Sequence, residues 1–342
     1  MAPSTDWKER IAPDENAQLE KLAEGLRDLQ HKRAKGKPAL RGLHAKGQAG
    51  VEAELTVLPD LPEHARVGLF KTPGTFRAFV RFSNGAGQKQ PDPKGDVRGI
   101  AIKVMGVDGK KIIPGLENAK TQDFLLIQSP ATPFSNAHQF VSFVMATANP
   151  LLLLPRMIGL FGLSRAFQLI GKLVKSLAVP VTSVATSRYW SALPIKFGPY
   201  AVKYGLQPHA QPAPGAQKGT SPGYLSDELA ARLKQGPVVY DFRVQFFVDE
   251  ARTPIEDASH EWAESDAPFV TLGRLTLVQQ DLSSPAGQKL AALVERLSFD
   301  PWHATEDFRP LGNMMRARSA AYRLSTQERG AAAEPDGSEK FS

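Results

Sequence analysis

The sequence predicts an α+β fold in which an antiparallel sheet or barrel carries inserted and C-terminal helices. Two observations lead there. Period-two runs of apolar residues occur in the first third of the chain and return after residue 237. A long stretch with helical apolar spacing separates the two groups, and further helical segments follow the second. Composition agrees, since 342 residues with 42 % hydrophobic and 23 % charged side chains suit a globular protein with a sizeable core.

Leu19, Leu22, Leu26 and Leu29 are spaced three and four apart among charged residues. This predicts an amphipathic helix over 15–33 that packs on the body or on a partner subunit. Phe76, Ala78, Val80 and Phe82 alternate with Arg77, Phe79, Arg81 and Ser83, the pattern of a half-buried strand. Ile100, Ile102 and Val104 repeat the pattern, as do Tyr240, Phe242, Val244, Phe246 and Val248. Between them, 136–178 reads as a helical insertion, and Gln207 to Gly223, rich in Pro, Gly and Ala, as a surface connector. After Gly273 a strand leads to a helix capped by Ser284 with Pro285 in its first turn, and Leu290, Leu293, Val294 and Leu297 face inward. A last helix contains Asn313 to Leu324, and the polar tail beyond Arg329 is expected to be disordered. The organisation expected is an N-terminal arm (1–37), one main domain (38–329) and the tail (330–342).

With no cysteine in the chain, disulfides, thiolate metal sites and iron–sulfur clusters are excluded. The net charge of +7 arises from Lys and Arg interleaved with Asp and Glu, which argues against nucleic acid as a partner. The polar N-terminus lacks the apolar run of a secretory signal, so a cytoplasmic location is expected. Leu151 to Ala178 is the most apolar stretch, but Pro155, Arg156, Arg165, Lys172 and Lys175 interrupt it, against a membrane span. Within it, Arg165, Gln168, Lys172 and Lys175 line one helical stripe opposite Leu163, Phe167, Ile170 and Val174. The expectation is a core-packed helix with solvated lysines; the alternative is peripheral contact with an anionic membrane.

Arg318, Tyr322 and Arg329 are four and seven apart, so on a helix one stripe carries a phenol between two guanidiniums. A free phenol has a pKa near ~10, and an arginine at i−4 and a ferric ion both favour its phenolate. That spacing alone is common. The second match is Arg41-Gly-Leu-His-Ala-Lys-Gly47, followed by Val80-Arg-Phe-Ser-Asn84 and Asp96-Val-Arg-Gly-Ile-Ala-Ile-Lys103. With the Arg-x-x-x-Tyr and its later Arg, these segments resemble, in order and over roughly 38–145 and 237–329, the haem catalases. The resemblance implies a catalase-like antiparallel β-barrel with inserted and C-terminal helices, and haem b as cofactor. It implies that His44 stands over the iron as acid and base and that Ser83 orients its ring. It further implies that Arg41, Arg81 and Arg329 pair with haem propionates, and that Arg318 pairs with the Tyr322 phenolate. Tyr322 would be the iron ligand, which is a property of catalase haem rather than a deduction from spacing.

The chain departs from the family pattern in the distal pocket. A gapless alignment from Asp123 to Phe143 matches Pro130, Ala137, Phe140 and Phe143, but puts Gln128 where the family has asparagine and Thr132 and Pro133 where it has two phenylalanines. Another alignment would bring Asn118 near the pocket. Gln128 would then hold the bound peroxide less well, and the lost rings would admit bulkier substrates. The resemblance, so modified, implies a haem peroxidase acting on hydrogen peroxide or organic hydroperoxides through a ferryl intermediate, with an organic electron donor and weak or no catalase activity. Alternatives are a fatty-acid hydroperoxide dehydratase or lyase, and a non-enzymatic haem- or membrane-binding protein. A homo-oligomer exchanging N-terminal arms is also suggested by the resemblance, whereas NADPH is not implied.

Overall fold

The computed structural model describes residues 3–178, 180–210 and 219–336. In chain order its main elements are α1 (Glu15–Ala34), β1 (Gly47–Val57), β2 (Gly74–Asn84), β3 (Arg98–Met105), β4 (Thr121–Ile127), α2 (Ala137–Ala146), α3 (Leu153–Phe161), α4 (Leu163–Ala178), β5 (Tyr189–Trp190), β6 (Ile195–Phe197), β7 (Tyr200–Pro208), α5 (Tyr224–Gln235), β8 (Val238–Phe246), β9 (Phe269–Leu277), α6 (Pro285–Arg296) and α7 (Asn313–Glu328).

The strands are antiparallel neighbours in the order β5-β4-β3-β2-β1-β9-β8-β7, and β5 pairs again with β7. The sheet therefore closes into an eight-stranded barrel, with β6 extending the edge of β7 that β5 also uses. Closure satisfies the ladder groups that an open edge would leave bare. Alternation sends Val51, Ala53, Leu55 and Val57 of β1 and Ala78, Val80 and Phe82 of β2 inward. Phe70 fills the interior from the β1–β2 connection, against Phe124, Phe197 and Phe242. Tyr204 stacks on Phe242, and its hydroxyl bonds both the N–H and the carbonyl of Leu125.

The outer face of β2 is more enclosed than its alternation predicts. Phe79, Arg81 and Ser83 are buried, because α6 and the loop before β1 cover this side of the barrel. Ser284 caps α6 by accepting the Gly287 N–H at 3.0 Å, and Pro285 opens the helix as expected. Glycine at position 50 lets the helix approach, since a Cβ there would lie 2.6 Å from Val294 Cβ. Val294 and Leu297 are buried as expected, but Leu293 is exposed, because the seam on the barrel follows the Leu290–Val294–Leu297 spacing and Leu293 lies one residue off it.

Helix α1 packs on α7 of its own chain, where Arg316 binds Glu15 and also Glu9 and Glu256. The helical insertion is three helices. Asn136 caps α2, and Gly162, at φ +74°, turns α3 into α4. The expected inward stripe of α4 is not where the sequence put it: Leu163, Phe167 and Val174 are exposed, whereas Ala166 and Leu169 pack with Phe134 and Met157. The side chain of Lys175 lies outside the described residues, as do 211–218, where about half of the predicted connector falls. No described helix is long and apolar enough to cross a membrane.

The tail is anchored over its described part. Glu334 pairs with the buried Lys103, whose ammonium also sits 2.8 Å from Asp123 and 3.2 Å from His303 Nδ1, and Ala332 N–H bonds the carbonyl of Arg296. The expected disorder is thereby corrected for 331–336, and residues 337–342 lie outside the described chain. Burial works against the charge on Lys103, but Asp123 and Glu334 outweigh it and raise its pKa. Asp123, His303 and Glu334 have the spacing of a metal-binding trio, yet the lysine already supplies their cation.

Candidate active site

His44 ends the loop that leads from α1 into the barrel. Its φ of +56° is a left-handed conformation that non-glycine residues adopt at a cost. The conformation is held from both sides: the His44 N–H donates to Gly85 O at 3.0 Å, and its carbonyl accepts from Arg81 Nη2 at 3.0 Å. The ring lies on β3 at Gly99, where a Cβ would come within 2.6 Å of Cε1, so the Asp-x-Arg-Gly segment supplies the residue that permits this approach. Ser83 Oγ is 3.0 Å from Nδ1. With Nδ1–H donating to it, the lone pair is left on Nε2.

Arg41, Arg81 and Arg329 converge beside this ring, around a residue that the sequence did not single out. Glu295, in the last turn of α6, accepts from Arg41 Nη1 at 2.6 Å and from Arg81 Nε at 2.9 Å. Arg329 reaches Leu297 O at 2.7 Å, a carbonyl that Arg41 also uses at 2.9 Å. Burial, then the charge of Arg81, pushes Arg41 down to about 9 despite Glu295; Arg329 is lowered to about 10, burial again the largest cause. Three guanidiniums thus gather around one carboxylate, and the cluster has room in its charge balance for two more anions. That donor set fits the two propionates of a haem.

The proximal pair is formed on α7. Arg318 Nη2 donates to Tyr322 Oη at 2.7 Å, and the guanidinium lies 5.0 Å from the centre of the ring. Trp302 steadies the start of this helix by bonding Met315 O. Burial disfavours the charge of Arg318, but Tyr322, Tyr204 and Asp300 raise its pKa nonetheless. Tyr322 thus presents its hydroxyl with a part-buried guanidinium already bonded to it. The neutral form of His44 is favoured first by burial and then by the charges of Arg81, Arg318 and Arg41.

His44 is held down to about 3 by these effects. Its folded value therefore lies below that of an unfolded histidine near ~6.5, and between the two the unfolded chain binds the extra proton. The contribution is present above pH ~6.5 and is lost as the pH falls toward the folded value. At pH 5 the loss reaches up to about 2 kcal/mol, at ~1.4 kcal/mol per unit. We expect the melting temperature of His44→Gln to fall less between pH 7.5 and pH 5 than that of the wild type, and equal falls would contradict the shift.

Gln128 and Thr132 make their hydrogen bonds to groups other than His44. Ladder partners share a face, so Ser83, Gly99 and Ile127 form one row on the outer side, and Arg81, Ala101 and Leu125 the next. Gln128 follows in the opposite phase, with Arg98; its Nε2 donates to Ser187 Oγ at 2.5 Å and its Oε1 accepts from Arg98 N–H at 3.3 Å. Thr132 is bound to Phe134 and Ala258 in the following loop. Asn118 lies in the β3–β4 connection, at the other end of β3 from Gly99, roughly 20 Å along the strand. The sheet positions flanking His44 on its own face are Ser83, Arg81, Gly99, Ala101, Leu125 and Ile127, and the two polar ones are already bonded to His44 and Glu295. Gln128→Ala should leave peroxide kinetics within about twofold while lowering stability by roughly 1–2 kcal/mol, the usual cost of a lost part-buried bond. Steady-state rates beside a thermal melt would check both.

No family model matches the chain. A catalase-related peroxidase from Mycolicibacterium paratuberculosis is 30 % identical over 321 residues, covering 87 % of this chain and 93 % of that protein. Among solved structures, a bacterial catalase aligns with a TM-score of 0.64 at 18 % identity, a fungal catalase with 0.66 at 17 %, and catalase A from Saccharomyces cerevisiae with 0.66 at 14 %. Each alignment covers 96 % of this chain but 63 %, 65 % and 67 % of the respective catalase, so the chain spans about two thirds of their length.

Proposed function

Because the chain belongs to the catalase superfamily of oxidoreductases, we propose that it is a haem-dependent peroxidase of hydrogen peroxide or organic hydroperoxides, with weak or no catalase activity. The observation that carries this reading is the gathering of Arg41, Arg81 and Arg329 beside the Ser83-bonded His44, with Arg318 bonded to Tyr322 on α7. Tyr322 would ligate the iron, and Arg41, Arg81 and Arg329 would hold the propionates, where Glu295 now shares the first two. When bound, haem supplies the redox chemistry.

The protein's own part is proton handling. His44 accepts a proton at Nε2 from the incoming hydroperoxide and returns it to the departing oxygen, a base-then-acid role that its lowered pKa permits. Ser83 keeps the ring in one orientation through Nδ1. Gly99, Ala101, Leu125 and Ile127 offer no polar side chain to steady a second small peroxide, and Ser83 and Arg81 on the same face are already bonded to His44 and Glu295. That arrangement favours an organic reductant over a second hydrogen peroxide.

The test is to load the purified chain with haem, record its absorption spectrum and follow the consumption of hydrogen peroxide and an alkyl hydroperoxide with and without an aromatic donor. Donor-dependent turnover with slow oxygen release is expected. Fast oxygen release without a donor would refute the peroxidase reading, as would donor-independent loss of a conjugated lipid hydroperoxide, which marks a dehydratase.

A further inference from the structure

Helices α3 and α4 carry an apolar surface that the rest of the described chain does not cover. Leu151, in the turn before α3, is 90 % exposed, and on α4 Leu163 is 62 %, Val174 60 % and Phe167 54 % exposed. At 100° per residue, Leu163, Phe167, Ile170 and Val174 fall within about 60° of one another. Ala166 and Leu169, the residues that hold α4 to Phe134 and Met157, lie to one side of that stripe. The apolar arc of α4 is thus wider than its packing uses.

The charge carried by the hairpin itself has one sign. No Asp or Glu occurs between Asp123 and Asp227, while Arg156, Arg165 and Lys172 are exposed on the hairpin. Arg165 and Lys172 lie opposite the exposed apolar stripe, the arrangement of helices that rest in a membrane interface. A second copy docking here would bring like charges together without acids to pair them. A bilayer with anionic headgroups offers both complements, acyl chains for the leucines and phosphates for the long basic side chains.

We propose that the α3–α4 hairpin docks this protein on the surface of an anionic lipid bilayer, with Leu151, Leu163, Phe167 and Val174 entering the acyl boundary and Arg156, Arg165 and Lys172 meeting headgroup phosphates. The inference is independent of the peroxidase reading. Only surface attachment is meant, since no described helix can span a membrane.

Co-sedimentation of the full chain with phosphatidylcholine vesicles, with and without phosphatidylglycerol, tests it. The protein should partition onto the phosphatidylglycerol vesicles and weakly onto the neutral ones, and salt should release it. The triple variant Leu163→Glu, Phe167→Glu, Val174→Glu should lower partition at least ~10-fold. Arg165→Glu with Lys172→Glu should lower it roughly 25-fold, at about fivefold for each basic residue near such a surface. The substituted side chains are exposed, so an unchanged melting temperature and circular dichroism spectrum verify folding. Equal partition of wild type and variants would overturn the proposal, as would a wild type that ignores both vesicles. A wild type that elutes as a dimer while the triple variant elutes as a monomer would assign the surface to a second copy instead.

Discussion

Replacing Tyr322 by phenylalanine should abolish either haem retention or the absorption spectrum of a tyrosinate-bound ferric haem. The substitution removes one oxygen, and that oxygen is the acceptor for Arg318 Nη2 at 2.7 Å. Nothing nearby replaces it cleanly, because the other side-chain contact of this guanidinium is Met315 Sδ at 3.7 Å. A buried guanidinium that loses a hydrogen-bond partner costs about 1–3 kcal/mol, so the haem-free variant should also melt lower. Haem titration followed at the Soret band, beside thermal melts of the haem-free proteins, separates the two effects. A variant that binds haem with an unchanged spectrum would show that another group ligates the iron.

His44→Ala should slow reaction with peroxide by roughly 10² or more while haem binding persists, the scale expected when positioned acid–base catalysis is lost. Position 44 has a left-handed backbone, which alanine tolerates poorly, so His44→Asn is the companion that keeps the conformation at lower cost. Both variants should fall to similar rates, because neither side chain can shuttle the proton. Stopped-flow consumption of peroxide, with haem occupancy matched, is the measurement. Wild-type rates in either folded variant would remove His44 from the mechanism.

Much of the barrel was legible because alternation is a local property. Val80 and Phe82, or Tyr240 and Phe242, reveal a strand without knowledge of its neighbours. Ser284 and Pro285 marked the start of α6 for the same reason. What the sequence could not supply is the identity of the neighbour. The stripe of Leu163, Phe167 and Val174 announces a helix, but periodicity does not say whether protein covers it. Leu293 looked inward until α6 met the barrel along Val294.

In the site, His44 and Tyr322 were singled out by resemblance, and the structure gives each a bonded partner, Ser83 for His44 and Arg318 for Tyr322. Glu295 gave no signal, since a glutamate in the last turn of an amphipathic helix is unexceptional until two arginines are seen to bind it. For Gln128 the gapless alignment rested on Pro130, Phe140 and Phe143, which lie beyond β4 and do not report the ladder. The register that decides the matter, Gly99 opposite Ile127, is a contact between strands and invisible in a linear pattern.

The pairing of Lys103 with Glu334 has a consequence for how the chain is made. Translation delivers β3 and β4 long before residue 334, so the nascent barrel wall holds its lysine with Asp123 while the second carboxylate is still to be synthesised. Closure is late as well, because β1 waits for β9 to be translated before Ala53 can meet Leu277. Such distant pairings slow folding and leave strand edges open in the meantime. A ribosome stalled shortly before codon 334 should therefore carry a barrel whose β3–β4 corner is still soft, and protease sensitivity there should fall only after the last residues emerge.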